Sequence, residues 1–299
     1  MFQCLNWFRE NKKIEHSINL QEIYKVVEIS KQAVYKNRLK QKKDLIIIAK
    51  VIELIQKERK ENKSMSCRKI YSKCIDQVEV GRDKFISIGL TNGFKVITKR
   101  NPVKTTYGQK IEIYPDLVTG LKINSINKVY QIDITYIWVE IRHYYIIDII
   151  DVYSRRLLAL HVANNLRSEE VIKALKQIIE VRTKEEIVGC IIHSDQGSQF
   201  ISNLYKERTN EYQLIKSMCD KPQKNSYVER LHGILKYEYF FEYSITSKNI
   251  QSMAKKIKRN YNDERPHISL GNKTPKQYEE YLMSIPIEQR PKLQIYDWK

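Results

Sequence analysis

Three acidic residues stand where acids are seldom found. Asp133 lies inside the apolar run VYQIDITYIWV, between Ile132 and Ile134. Asp195 follows IVGCII, a buried-strand pattern, in the stretch HSDQGSQF. Glu229 belongs to NSYVERLHGILKYEYF, whose Val228, Leu231 and Leu235 recur at helical spacing. If the two runs are adjacent central strands, Asp133 and Asp195 come side by side, and the helix can carry Glu229 above them. Converging carboxylates repel one another unless cations lie between them. Oxygen-only donors suit Mg²⁺ or Mn²⁺, and two such ions about 4 Å apart can clamp both oxygens of an in-line phosphoryl transfer. Ser194, Gly197 and Ser198 are small enough to let a phosphodiester approach.

Plainer readings exist for each acid. Asp148 and Asp151 are rivals for the first position, although Asp151, in DVYSR, suits a turn that orients Ser154 and Arg155. Asp195 could simply end its strand. Ser226 and Glu229 have capping-box spacing, so the glutamate could reach back to its own helix end. His193 reads as a packing or supporting group, and Arg265 and His267 in RPH as structural residues that could also touch DNA.

The elements that must position these residues fall in an α/β order. Three closely spaced strands, 129–139, 143–150 and 156–162, predict an antiparallel meander. A helix over 168–182, capped by Ser168, leads to a strand over 187–193 parallel to the first; 214–218 is a fifth strand. The helix carrying Glu229 follows, with Glu229, His232, Gly233 and Lys236 on one stripe. Thr274, Pro275 and Gln277 predict a capped helix start. The fold class is therefore α/β with a mixed five-stranded sheet and flanking helices.

A helical region precedes it. Residues 1–43 read as a helix-turn-helix segment: Asn19 and Glu22 open the first helix, 28–30 form the turn, and Ser30 caps the second. That second helix would turn Lys31, Gln32, Lys36, Asn37 and Arg38 outward toward DNA. Residues 44–100 read as a second, winged helix-turn-helix-like region, beginning with an amphipathic helix over 44–62 whose apolar stripe is Leu45, Ile48, Ala49, Ile52 and Ile55. Its helices CRKIYSKCIDQ and GRDKFISIGL are followed by the NGF turn and the basic strand FKVITKR. Residues 101–125 read as a linker, 126–285 as the α/β domain and 286–299 as a tail.

Charge divides the chain the same way. The net charge is +18. Residues 1–128 hold 27 Lys+Arg against 13 Asp+Glu, whereas residues 129–299 hold 26 against 22. A basic front end on a balanced domain points to a polyanion partner. Five scattered cysteines argue against a disulfide framework. The N-terminus lacks the order of a signal peptide, and no apolar run nears the roughly 20 residues that span a bilayer. A cytoplasmic location without membrane contact is expected.

DITYI, DVYSR, HSDQGSQF, NSYVERLHGILKYEY and YNDERPHISLGNKTP occur in one order across residues 133–275. Together they resemble the integrase-type DDE transposases of bacterial insertion sequences, in particular the second-frame (OrfB) proteins of the IS-three family; VGRDKF and GFKV resemble their helix-turn-helix region. The resemblance implies an RNase H-like integrase catalytic core that cuts DNA at element ends and joins the 3′-hydroxyl to a target. Asp133, Asp195 and Glu229 would be the catalytic acids and would bind two divalent ions, Mg²⁺ or Mn²⁺. Lys236 would be the family's basic residue two turns after the glutamate, and Arg230 a further DNA contact. Terminal inverted repeats and target duplex would be the partners, with a homo-oligomer on DNA and an upstream-frame (OrfA) protein beside it. Two departures stand out: the 33 residues between Asp195 and Glu229 are two fewer than the family usually has, and Lys224 stands where an acid is common. The alternative is a decayed copy that binds DNA without turnover.

Overall fold

A computed structural model of the chain describes Tyr24 and residues 28–96, 114–219 and 222–296. The first helix of the expected helix-turn-helix, the 97–100 part of the basic strand, residues 101–113 of the linker and the last three residues lie outside that set.

Helix α1 (Lys31–Glu61) starts where Ser30 accepts a hydrogen bond from the Ala33 N–H at 3.1 Å. It runs unbroken through the boundary expected at 43/44, because that stretch contains neither glycine nor proline to stop it. Its packing stripe also differs from the expected one. Val51 and Ile55 are buried, with Ile47, Ile48 and Leu54 against them, whereas Leu45 is exposed. Both stripes are apolar in sequence, and the positions of α2 (Cys67–Lys73) and α3 (Arg82–Thr91) select the one that packs. Lys31, Gln32 and Lys36 are exposed as expected, while Asn37 and Arg38 are half-buried. Residues 94–96 form no strand.

After β1 (Lys122–Ile123) come β2 (Val129–Val139), β3 (Arg142–Asp151) and β4 (Leu157–Ala163), the expected antiparallel meander. Helix α4 (Ser168–Ile179) takes Arg167 as its N-cap, so Ser168 lies inside the helix rather than capping it. Thr183 and Glu186 then form a capping box that starts the short α5 (Lys184–Ile187), and Gly189 at φ +74° turns the chain into β5. This strand is therefore only Ile191–Ser194, shorter than the expected 187–193. Helix α6 (Asn203–Glu211) leads to β6 (Ile215–Met218), and α7 (Ser226–Ile234), α8 (Ile250–Asp263) and α9 (Pro275–Met283) follow. The predicted Thr274–Gln277 capping box and Pro275 at the start of α9 are present.

The five strands are ordered β4-β3-β2-β5-β6, with β5 parallel to β2 and β6 parallel to β5. Alternation along each strand feeds two cores. Tyr130, Ile132, Ile147 and Ile149 pack under α4 and α6, while Ile137, Ile146, Ile150 and Leu160 meet α7 and α8. Period two therefore points Asp133 at α7. A third cluster changes the expected boundaries. Strand β7 (Leu293–Gln294) pairs with β1, and Val118, Ile123, Ile295 and Tyr296 are buried together with Tyr278 and Leu282 of α9. Residues 114–125 and 286–296 thus belong to the α/β body rather than to a linker and a tail. Among the described residues no helix is long and apolar enough to cross a membrane, and Cys67, Cys74, Cys190 and Cys219 are free thiols.

Candidate active site

Register delivers the two aspartates. Gln131 on β2 stands opposite His193 on β5; carrying that parallel register two residues further sets Asp133 beside Asp195, just past the end of β5. Both line a cleft of about 500 Å³ with Thr135, Tyr136, His143 and Gly197. Asp133 Oδ1 accepts the Ile134 N–H at 2.8 Å, and Asp195 Oδ1 accepts the Gly197 N–H at 3.0 Å. A Cβ on Gly197 would come within 3.0 Å of that same carboxylate oxygen. Gly197 is thus small for the sake of the Asp195 seat, a more local reason than room for a bulky substrate.

The antiparallel register of β2 and β3 adds a third acid, one of the two rivals for the first position. Asp148 pairs directly with Asp133 and is fully buried. His232, one turn after Glu229 on α7, hydrogen-bonds Asp148 Oδ1 through Nε2 at 2.9 Å, and its Nδ1 lies 3.8 Å from Asp133 Oδ2. Counting back from the two-residue turn 140–141 would have found the pair, since in a hairpin that tight the register fixes who faces whom.

Burial dominates the electrostatics. It pushes the Asp133 carboxyl up to about 7, an effect that His232 opposes and Asp195 reinforces. Burial raises Asp195 and Asp148 as well. For His232 burial pulls the other way, yet Asp148 and Asp133 outweigh it and leave the imidazole easier to protonate than usual. Lys236, half-buried and lowered by desolvation, sits 5.2 Å over the Tyr136 ring, where Asp148 and Asp133 attract it. The helix widens to a π-turn over Leu235–Phe240, and Lys236 near its start leans on Tyr136 of the cleft wall.

Glu229 is placed differently. It is exposed and is absent from the cleft lining, and what burial it has raises its pKa against the opposing pull of His232. Among the described residues no three His, Cys, Asp or Glu side chains converge closely enough to hold one ion. The capping-box alternative for Glu229 is not realised: Asn225 is the N-cap, and no side chain of the helix caps it. Gln131 does that work from the sheet, its Oε1 accepting the N–H groups of Tyr227 and Val228 at 3.2 Å each. One strand thus carries Asp133 and, two residues earlier on the same face, the group that seats the Glu229 helix. Nothing local in the sequence announced Gln131.

The other expected site residues are spread out. Arg230 is exposed beside Glu229 but faces a different cavity. Arg265 is buried and fully engaged with Glu238 at 2.7 and 2.8 Å, and His267 is buried against it. Lys224 pairs with Asp116 Oδ2 at 2.8 Å, which answers the unusual charge at that position. Asp151 accepts the N–H groups of Asn127, Tyr153 and Ser154, the turn-orienting part expected of it. His193 is buried with Nδ1 2.9 Å from Ser217 Oγ, and burial lowers its pKa to about 4, as suits a neutral packing group.

Two aspartates that repel each other in a solvent-reaching cleft offer carboxylate oxygens that fit a hard divalent cation. The chain also resembles known proteins. The chain matches the integrase core domain family over residues 124–224 and again over 211–275. It is 29% identical over 172 residues to the transposase for insertion sequence element IS904 of Lactococcus lactis, covering 56% of this chain and 67% of that protein. It is 27% identical over 207 residues to an insertion element IS600 protein of Shigella sonnei, covering 67% and 75%. The transposase InsF for insertion sequence IS3A of Escherichia coli is also 27% identical, over 49% of this chain and 52% of InsF. Among solved structures, the HTLV-2 integrase catalytic core domain in complex with magnesium aligns at TM-score 0.42 and 22% identity, covering 52% of this chain and 97% of that one.

Proposed function

This chain belongs to the insertion-sequence transposases built on an integrase core, and from that premise we propose that Asp133, Asp195 and Glu229 are its catalytic acids in DNA cleavage and strand transfer at the element ends. The observation that carries the reading is the pair Asp133 and Asp195, brought from distant segments to one cleft by strand register. A divalent ion at the pair, Mg²⁺ or Mn²⁺ and two of them during reaction, would activate the attacking hydroxyl and stabilise the departing 3′-oxygen. Asp133 and Asp195 would hold it, and Glu229 would join them by a side-chain rotation from its exposed position on α7. His232, hydrogen-bonded to Asp148 and easier to protonate than usual, faces Asp133 and opposes the rise in its pKa. In the reaction an oxygen of water or of a DNA 3′-end attacks phosphorus, a P–O bond breaks, and the leaving oxygen takes up a proton.

Lys236 would contact a phosphate near the site, Arg230 would contact DNA from the separate cavity it lines, and Lys31, Gln32, Lys36 and Arg38 on α1 would face the terminal inverted repeats. A homo-oligomer that brings two ends and a target duplex together, an OrfA partner and a cytoplasmic setting complete the reading.

The test is a strand-transfer assay on duplex ends with Mg²⁺ or Mn²⁺, comparing wild type with Asp195→Asn. Joining in wild type that vanishes in the variant, with DNA binding intact, is the expected result. A wild type that binds the ends but joins nothing would leave the decayed, binding-only copy in its place. A finer probe is Gly197→Ala. Its Cβ crowds the Asp195 carboxylate while the backbone there, at φ −63°, accepts any residue. Joining should fall by roughly 10–100-fold, in keeping with the cost of a small misplacement of a reacting group, with the melting temperature nearly unchanged. Equal joining rates would mean that the Asp195 seat does not matter.

A further inference from the structure

On the far side of α7 from His232 lies a second cavity, of about 470 Å³, whose charge is unbalanced. Lys69 of α2, Arg155 from the turn between β3 and β4, Arg230 of α7 and Arg265 after α8 all line it, against a single lining carboxylate, Glu238. That carboxylate is already committed. It takes two hydrogen bonds from Arg265 and one from Lys69 at 3.3 Å. Arg155 and Arg230 make no ion pair among the described residues. Arg155 lies 4.0 Å over the Tyr227 ring, on a backbone held at φ +61° by the Asp151 turn, a conformation costly for a side-chain-bearing residue.

The surroundings register the excess charge. Burial, Arg265 and Arg230 bring Lys69 down to about 8, against the pull of Glu238. Burial followed by Arg265, Lys69, Arg155 and Arg230 keeps His267 neutral. Cations gathered in a part-buried cavity repel one another, and only an anion from outside can offset that repulsion. Arginine forks match the tetrahedral oxygens of a phosphate, and the tyrosines leave an apolar wall for the adjoining sugar.

We propose that this cavity takes one backbone phosphate of bound duplex DNA, with Arg230, Arg155 and Lys69 as donors, and so fastens the N-terminal helical region to the catalytic domain. Lys69 comes from the helical region, and the other donors come from the α/β body. A phosphate between them bridges the two, which is how backbone contacts set orientation without reading sequence. The identity of the ligand rests on the transposase reading; the cavity itself does not.

The experiment measures binding of a fluorescent duplex to the full chain in metal-free buffer, across a range of salt concentrations. Lys69→Gln and Arg230→Gln should each weaken binding several-fold and reduce the slope of log K against log salt by about 1, the loss of one phosphate contact. Lys176→Gln, an exposed charge on α4, serves as the control and should leave the slope unchanged. Melting curves establish that each variant is folded. Slopes equal to wild type in both cavity variants, or an equal drop in the control, would overturn the proposal while leaving the transposase reading intact. Inorganic phosphate supplies the second arm: if it raises the melting temperature of wild type but not of Arg230→Gln, while the DNA slopes stay equal, the cavity is a free-anion site and the DNA assignment is wrong. A wild type that binds no duplex at all would overturn both readings together.

Discussion

Asp133→Asn should make the protein more stable and abolish its chemistry. In metal-free buffer at pH 8 the variant is expected to melt several degrees above wild type, while strand joining falls by roughly 10³-fold or more. The argument begins from burial, which lifts the Asp133 carboxyl to about 7, helped by Asp195 across the cleft. A folded-state pKa raised above the unfolded value of 3.8 means that the folded chain holds a proton the unfolded chain has released. Stability therefore falls as pH rises from about 4 to about 7, and above that the full penalty is present. Asparagine keeps the oxygen that accepts the Ile134 N–H and carries no charge, so the penalty disappears. The gain should be about 1–3 kcal/mol, at roughly 2–4 °C per kcal/mol for a domain of this size, and it should fade when melting is repeated near pH 4. Mg²⁺ should raise the wild-type melting temperature at pH 8 and leave the variant unmoved. A purely structural aspartate predicts the opposite sign. An Asn variant that melts lower at pH 8, or still joins DNA, would remove Asp133 from the site.

The largest loss of stability should come from Glu279→Ala, far from the cleft. Glu279 is buried on α9, where it accepts hydrogen bonds from Arg182 and from Ser154 Oγ, with Arg156 at 3.5 Å. Arg182 is itself buried, and its Nε donates to Asn127 Oδ1 at 2.8 Å. Truncating the glutamate leaves a guanidinium inside the protein without its counter-charge. Removing one partner of a buried pair costs about 3–5 kcal/mol, a melting loss on the order of 10 °C. Glu279→Gln, which retains an acceptor, should lose less. Replacing both members with methionine should recover much of the loss, since apolar packing substitutes well for a buried ion pair. A fall below about 1 kcal/mol for Glu279→Ala would show that solvent reaches Arg182.

Much of the α/β body was readable in advance. Strands β2, β3 and β4 came within a residue or two of their expected limits because each is a long apolar run closed by turn residues. Asp133 and Asp195 line one cleft, two residues beyond the last paired position of β2 and β5. The expectation that Glu229 would converge on them does not hold for its side chain as it stands. Asp148 was ranked behind Asp133, yet the hairpin sets the two face to face with His232 at their ends. Helix limits were less legible. Ser168 and Ser226 both look like caps, but each falls one residue inside its helix. A cap is chosen by backbone geometry that neighbouring elements impose, and in α7 that neighbour is Gln131.

What the sequence determined by itself was the alternation of the strands, the apolar faces of the helices and the motifs that mark the family. All of these depend on periodicity or on residues close together along the chain. Tertiary structure alone decided which of two apolar stripes α1 buries, that residues 286–296 close the domain, that α7 is seated from the sheet, and that Arg155, Arg230 and Lys69 share one cavity. Each of those outcomes depends on segments far apart in sequence meeting in space. Charge or hydrogen-bonding capacity left unmatched within a segment is matched only when the whole chain has packed.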